Sequence, residues 1–239
     1  MNRMEGLSVI IPVHNEEKII TRNTERLIGF LNRYCKNYEI ILCDNGSTDS
    51  TAEKGELLAK KHKKVRFLRV ERKGLGLALK ELIKNSRFEK IIFLPIDFSI
   101  NLKFVGEALQ LLGKYDMVIG SKRMDGAVDD RPFGRRFSTF LFNSLVNLFF
   151  GLGIKDTQCV KGFRKSRIKK INDEIKSEDL FFDVELLIKA KKSRLKMIEI
   201  PVICKDHRKS KFKVLGESFK IFFRIIDFWI GSKLKKMVG

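Results

Sequence analysis

The sequence is short of acid, histidine, proline and cysteine. Against 49 Lys and Arg stand 29 Asp and Glu, a net charge of +20. An excess that large points to an anionic partner, with nucleic acid, phosphate-bearing substrates and acidic membrane surfaces all open on charge alone. Three histidines and four cysteines (Cys35, Cys43, Cys159, Cys204), none in a CxxC pair, lack the spacing of a zinc site. The same scarcity excludes a disulfide-stapled fold and predicts reduced, partly buried thiols. No uncharged apolar run reaches the roughly 20 residues that a membrane span needs. The longest uncharged stretch, Phe137 to Ile154, carries Thr139, Asn143 and Asn147 at intervals of four, a polar stripe on an amphipathic helix. The N-terminal MNRMEGLSVIIPV runs into a strand-like segment without a cleavage-site pattern, so no signal peptide is expected. No internal repeat, low-complexity tract or nucleic-acid-binding motif is present, and no nucleic-acid partner is expected.

What is present is a core-forming chain, 44% hydrophobic over 239 residues. Leu7–Pro12, Tyr38–Cys43, Val65–Val70, Lys90–Leu94 and Met117–Gly120 read as buried strands. Helical patterns begin near residues 17, 51 and 74 between them. Strand and helix alternate every 25 to 30 residues up to about residue 120, which predicts an α/β fold with a mostly parallel central sheet flanked by helices. In such sheets ligands bind at the carboxyl ends of the strands. Those ends carry the unusual polar residues: His14, Asn15 and Glu16 after the first strand, Asp44 and Asn45 after the second, Asp97 after the fourth. Beyond residue 120 the pattern changes. Arg123, Arg131, Arg135 and Arg136 precede the amphipathic helix, Phe181–Ala190 is helical, and Met197–Ile203 is a last strand. Lys205–Lys213 holds five basic residues in nine, and the C-terminal segment has a wide aromatic face followed by lysines.

Asp44-Asn-Gly-Ser-Thr-Asp-Ser-Thr51 taken alone is a turn with a helix cap. Gly74-Leu-Gly-Leu-Ala78 taken alone is weak too, although small residues there let backbone N–H groups approach a diphosphate at a helix start. Combined with Pro12-x-x-Asn15-Glu16, these stretches resemble the family 2 glycosyltransferases of the GT-A (Rossmann-like) fold. The resemblance implies that Asp44 grips the nucleotide, with Pro12, His14, Glu16, Asn45, Gly74, Gly76 and Ile96 around it. Asn45 departs from the family's usual second Asp. So does Pro95-Ile96-Asp97 from its Asp-x-Asp. One carboxylate remains, so Mg2+ or Mn2+ would be held by Asp97, with Ser99, together with the substrate's diphosphate.

The order Asp156-Thr-Gln-Cys159, Gly162-Phe-Arg164, Phe182-Asp-Val-Glu-Leu-Leu187, Ile200-Pro-Val202 and Ser210-Lys211 resembles the polyprenyl-phosphate sugar transferases. The dolichyl-phosphate glucosyltransferases come first and the dolichol-phosphate mannosyltransferases next, with Val160 and Lys161 reading as an insertion. The resemblance implies an inverting transfer of a hexose from a nucleotide-diphosphate sugar, UDP-glucose or GDP-mannose, to a polyprenyl or dolichyl phosphate. A phosphate monoester is mostly a dianion at pH 7 and needs little help from a base. It does need a cationic clamp. Arg123, Arg135 with Thr139, Arg208, and Ser210 with Lys211 are the expected clamp. Asp97, Arg123, Arg135 and Lys211 are the expected catalytic groups. Two alternatives stand beside this one. A hydroxyl acceptor would call on Glu178 or Asp179 as base, and a non-catalytic relative would explain Pro95 and Asn45. The expected organisation is one domain over 1–239, with a nucleotide-sugar half (1–120), an acceptor half (121–213) and a membrane-surface helix (214–239). Peripheral attachment to an anionic membrane at its cytoplasmic face, without a span, is expected.

Overall fold

The computed structural model describes residues 6–206 and 224–231. Five strands come where apolar runs predict them: β1 (Leu7–Val13), β2 (Tyr38–Asn45), β3 (Val65–Val70), β4 (Lys90–Phe93) and β5 (Met117–Ser121). Between them lie α1 (Ile20–Tyr34), α2 (Thr51–Lys61), α3 (Leu75–Asn85) and α4 (Lys103–Leu111). The second half adds β6 (Val128–Asp129), α5 (Phe133–Phe150), β7 (Lys161–Arg164), α6 (Lys165–Glu174), α7 (Phe182–Lys192), β8 (Met197–Pro201) and β9 (Ile203–Cys204). Residues 224–231 are helical.

Seven strands form one sheet in the order β3-β2-β1-β4-β7-β5-β8, and β6 pairs with β9 in a separate ribbon. All neighbours in the large sheet run parallel except β7, which is antiparallel to both β4 and β5. Lys161, the second of the two residues that read as an insertion, is the first residue of β7, and Val160 directly precedes it. Alternation along the strands sends side chains to two cores. Val9, Ile11, Ile40 and Leu42 meet Leu27, Leu31, Leu58 and Phe104 on the face covered by α1, α2 and α4. Ile10 and Ile41 meet Leu79, Leu82, Ile168 and Leu187 on the face covered by α3, α6 and α7. Burial on both faces is why β1 and β2 are apolar runs and not alternating ones.

From β1 the chain moves outward through β2 to β3, then returns to place β4 on the other side of β1. Strand order therefore reverses between β1 and β4. Crevices open at the carboxyl ends of such a pair.

The helix expected from the 139–143–147 stripe is α5, and its polar stripe faces inward. Asn143 is fully buried. Its Oδ1 accepts the Thr157 backbone N–H and hydroxyl, both at 2.8 Å. Asn147 Oδ1 accepts the Gly153 N–H at 2.8 Å. Phe133, Phe137, Phe140, Leu141 and Leu148 face outward, with Phe133 79% and Leu148 77% exposed. Among the described residues no helix is long and apolar enough to cross a membrane.

Candidate active site

The loops leaving β1 and β2 are laced together. Asn15, whose φ of 54° lies in the left-handed region that Asn tolerates, donates its N–H to Ser47 Oγ at 2.9 Å. Its Oδ1 accepts the Thr48 N–H at 2.8 Å. The Glu16 N–H reaches Thr51 Oγ1 at 2.8 Å. These contacts explain why the two motifs occur together: each supplies side-chain oxygens that accept the other's backbone N–H groups.

Asp44 stands at the end of β2, paired in register with Val13 on one side and Arg69 on the other. It is fully buried. Oδ1 accepts the Ser47 N–H at 3.2 Å. Oδ2 has no hydrogen-bond partner among the described residues, with Arg69 Nε 3.5 Å away. A buried carboxylate oxygen lacking a donor is costly, and a ligand N–H or hydroxyl would relieve it. His14 Nδ1 is likewise buried without a partner among the described residues.

Asn45 performs a different task from its neighbour. Its Oδ1 accepts the Gly74 N–H at 2.6 Å and so fixes the turn into α3. At Gly74 a Cβ would stand 2.6 Å from the Glu178 carbonyl oxygen, and at Gly76 2.8 Å from the Ser177 oxygen. The glycines thus let α3 dock on the 177–178 backbone, where the Leu77 N–H also bonds Glu178 O.

Asp97 follows β4 in a tight turn, with Phe98 at φ 50°. Its Oδ1 accepts the Ser99 N–H at 2.9 Å. Ile96 is buried and its carbonyl accepts Asn23 Nδ2 at 2.8 Å. Among the described residues no group of three or more His, Cys, Asp or Glu stands together to hold a metal ion. One carboxylate in a polar turn fits a hard cation completed by water and substrate phosphate oxygens, the usual habit of Mg2+.

Cations gather beyond β5. The Lys122 ammonium lies 2.7 Å from Asp156 Oδ2, with both side chains almost fully buried. Burial works against its charge, but the neighbouring Cys159 and Asp156 more than offset it and hold Lys122 above the ordinary lysine range. Arg123 donates to the Lys155 carbonyl at 3.1 Å and lies 4.7 Å over the Phe140 ring. Arg131 grips Asp129 two-pronged, through Nε and Nη2, each at 2.7 Å. Burial raises the Asp129 carboxyl, yet the Arg131 bonds leave it below the usual value. Thr139 Oγ1 accepts from Arg131 Nη1 at 3.4 Å and donates to the Arg135 carbonyl at 2.8 Å. Arg135 itself pairs with Asp206 at 3.1 Å. Arg208, Ser210 and Lys211 lie outside the described residues.

The acids weighed as possible bases are engaged. Glu178 pairs with Arg72 at 2.7 Å, and Asp179 pairs with Arg224 and caps the Phe181 N–H at 3.0 Å. Asp183 takes the buried Lys161 ammonium at 2.7 Å, and burial raises its pKa against the pull of that lysine. Glu185 Oε2 accepts the N–H and hydroxyl of Ser177 at 2.9 and 2.7 Å. The four cysteines are free thiols, and burial pushes Cys43 up to about 12 and Cys204 to about 11.

Four residues beside the site were not singled out for it from the sequence: Lys122, Asp129, Asp156 as the partner of Lys122, and Asp206. Arg131 was visible within the arginine cluster, without a role. Adjacency to that cluster was the available signal for Lys122 and Asp129. Asp206 pairs with Arg135 across 71 residues, and spacing carried no sign of it.

A reversal of strand order with a buried acid at the end of β2 and a carboxylate turn at the end of β4 is the arrangement of the GT-A fold. The model of the glycosyl transferase family 2 matches residues 8–174, and the chain belongs to that family. It is a glycosyltransferase. It is 25% identical over 229 residues to the glycosyltransferase AglD of Haloferax volcanii, covering 93% of this chain and 37% of that protein. It is 28% identical to the dolichyl-phosphate beta-glucosyltransferase of Saccharomyces cerevisiae, over 90% of this chain and 71% of the relative. Among solved structures, glucosyl-3-phosphoglycerate synthase of Mycobacterium tuberculosis, in complex with Mn2+ and UDP-glucose, superposes with a TM-score of 0.70. That match covers 95% of this chain and 79% of the other at 19% identity, a likeness of fold.

Proposed function

We propose that the protein transfers a hexose, glucose from UDP-glucose before mannose from GDP-mannose, to a polyprenyl or dolichyl phosphate with inversion. The observation that carries this reading is the contrast between the site's two sides. Lys122, Arg123, Arg131 and Arg135 cluster around the end of β5 and the start of α5, against only Asp156, Asp129 and Asp206, while Glu178, Asp179 and Asp183 are each committed to a basic partner elsewhere. A site rich in cations and poor in disengaged acids suits an acceptor that brings its own nucleophilic charge. A phosphate monoester does so, since its second pKa is about 6. A hydroxyl would need a base.

In this reading the orphaned Asp44 Oδ2 takes a donor group of the base or ribose. Pro12, His14, Glu16, Asn45, Gly74, Gly76 and Ile96 shape the same pocket. Asp97, with Ser99, holds Mg2+ or Mn2+ on the donor diphosphate. A bound cation would neutralise charge on the departing nucleotide diphosphate. Arg123, Arg135 and Thr139 orient the acceptor phosphate together with Arg208, Ser210 and Lys211. The outward apolar face of α5, bordered by arginines, suits the surface of an anionic membrane. We place the enzyme at the cytoplasmic face, held peripherally by α5 and the segment 214–239, with 1–239 acting as one domain.

A transfer assay tests the proposal, using a short polyprenyl phosphate, labelled UDP- and GDP-sugars, and Mg2+, Mn2+ or EDTA. Labelled lipid with one donor, reduced at least a hundredfold in Asp97→Ala, is the expected result; removing one key electrostatic group typically costs about 10²–10³ in rate. No transfer with any cation, alongside intact nucleotide binding, would overturn it.

A further inference from the structure

The acceptor-side arginines are held by acids that come from one ribbon. β6 and β9 pair in parallel, and the Asp130 N–H reaches the Cys204 carbonyl at 3.0 Å. Asp129 from β6 holds Arg131, and Asp206, two residues beyond β9, holds Arg135. The two grips differ. Asp129 lies two residues from Arg131 and binds it two-pronged, which locks a local turn. Asp206 meets Arg135 through Nη1 and Oδ2 at 3.1 Å, from 71 residues away and from the other strand of the ribbon. Asp206 is 8% exposed, and the Arg135 side chain is 26% exposed. The Lys205 N–H beside it bonds the Ser99 carbonyl at 2.8 Å, so this acid stands where the Asp97 turn meets the arginine helix.

We propose that Asp206 is a placeholder anion on Arg135 that sets the acceptor specificity of the site. This inference rests on the phosphate-acceptor reading above. A guanidinium can exchange one anion for another, and a phosphate dianion offers it two oxygens in a fork and more charge than the single carboxylate it displaces. A phosphate therefore displaces the Asp206 carboxylate, whereas a neutral hydroxyl cannot. With Asp206 in place, a hydroxyl acceptor finds Arg135 already engaged. The site accepts monophosphate esters because admission requires displacing an acid.

Steady-state transfer to citronellyl phosphate, with the donor that serves best in the panel, tests this in wild type and Asp206→Asn. The variant is expected to lower KM for citronellyl phosphate about tenfold, the order of one charge-assisted hydrogen bond, with kcat changed less than about twofold. Inorganic phosphate should inhibit the variant more strongly by a similar factor. An unchanged or raised KM in the folded variant overturns the proposal and leaves Asp206 as scaffold. Should Asp206→Asn not fold, hydrogen exchange on the wild type decides. Citronellyl phosphate should speed exchange across 203–206, and unchanged or slowed exchange overturns the proposal. Should the wild type transfer to no prenyl phosphate, the function fails separately. Calorimetry with inorganic phosphate then judges Asp206: about tenfold tighter binding in the variant supports the placeholder, and equal binding overturns it.

Discussion

Asp44 and Glu178 are both acids near the end of the parallel strands, and their surroundings assign them opposite sensitivities. Asp44 is buried with one oxygen lacking a donor, and Glu178 pairs with an Arg72 whose side chain is 70% exposed. Exposed ion pairs contribute about 0–1 kcal/mol, whereas hydrogen bonds to a buried charge contribute about 1.5–3 kcal/mol. Asp44→Ala should therefore weaken UDP binding about 10- to 100-fold by calorimetry, and Glu178→Gln should leave transfer within about twofold. A large loss of transfer in Glu178→Gln, with the protein folded, would restore the hydroxyl-acceptor alternative. Asp44, Asn15 and Asp97 were legible because each ends a strand whose apolar run is plain. The task of Asn45 was not legible, because its partner, the Gly74 N–H, lies 29 residues on and is a backbone group. Nor was the packing role of the two glycines, since the residues they admit belong to a loop a hundred positions later.

At the scale of elements, α5 decides most. Its period of four was readable, and its orientation was not. A stripe of Thr and Asn usually marks the solvent side. Here Asn143 and Asn147 feed the donors of the 153–157 loop, which has no strand or helix of its own to satisfy them. Replacing Asn143 by Ala should cost about 2 kcal/mol, because it strands the Thr157 N–H and hydroxyl in the interior; the measurement is chemical denaturation. Replacing Leu148 by Ser should leave stability within about 0.5 kcal/mol while reducing binding to phosphatidylserine vesicles. Equal vesicle binding in Leu148→Ser would remove α5 from the membrane contact. β7 was hidden for a related reason. Four residues with a lysine and a glycine do not look like a central strand, and Lys161 is tolerated there only because Asp183 and the Cys159 carbonyl take its three-donor head.

For the whole molecule, the alternation of strand and helix was sufficient to specify a mostly parallel sheet, and the candidate site was read from where the strands end. The charge was the less specific clue. A surplus of +20 attracts any polyanion, and the proposal of a lipid surface rests on the placement of arginines beside an outward apolar helix face. Binding to anionic vesicles should accordingly have two parts. Raising salt from 0.05 to 0.5 M should strip most of the electrostatic part, since the screening length shrinks from about 14 to about 4 Å. A remainder should persist on vesicles of either charge, and sedimentation measures both. Complete release at high salt would indicate attachment by charge alone.

The outward face of α5 also bears on how the protein behaves away from any bilayer. Phe133, Phe137, Phe140, Leu141 and Leu148 form one strip of oil on a body that otherwise repels its own kind through charge. In dilute buffer the charge keeps molecules apart. Once salt mutes that repulsion, the strip offers each copy a place on the next, so self-association should rise with ionic strength.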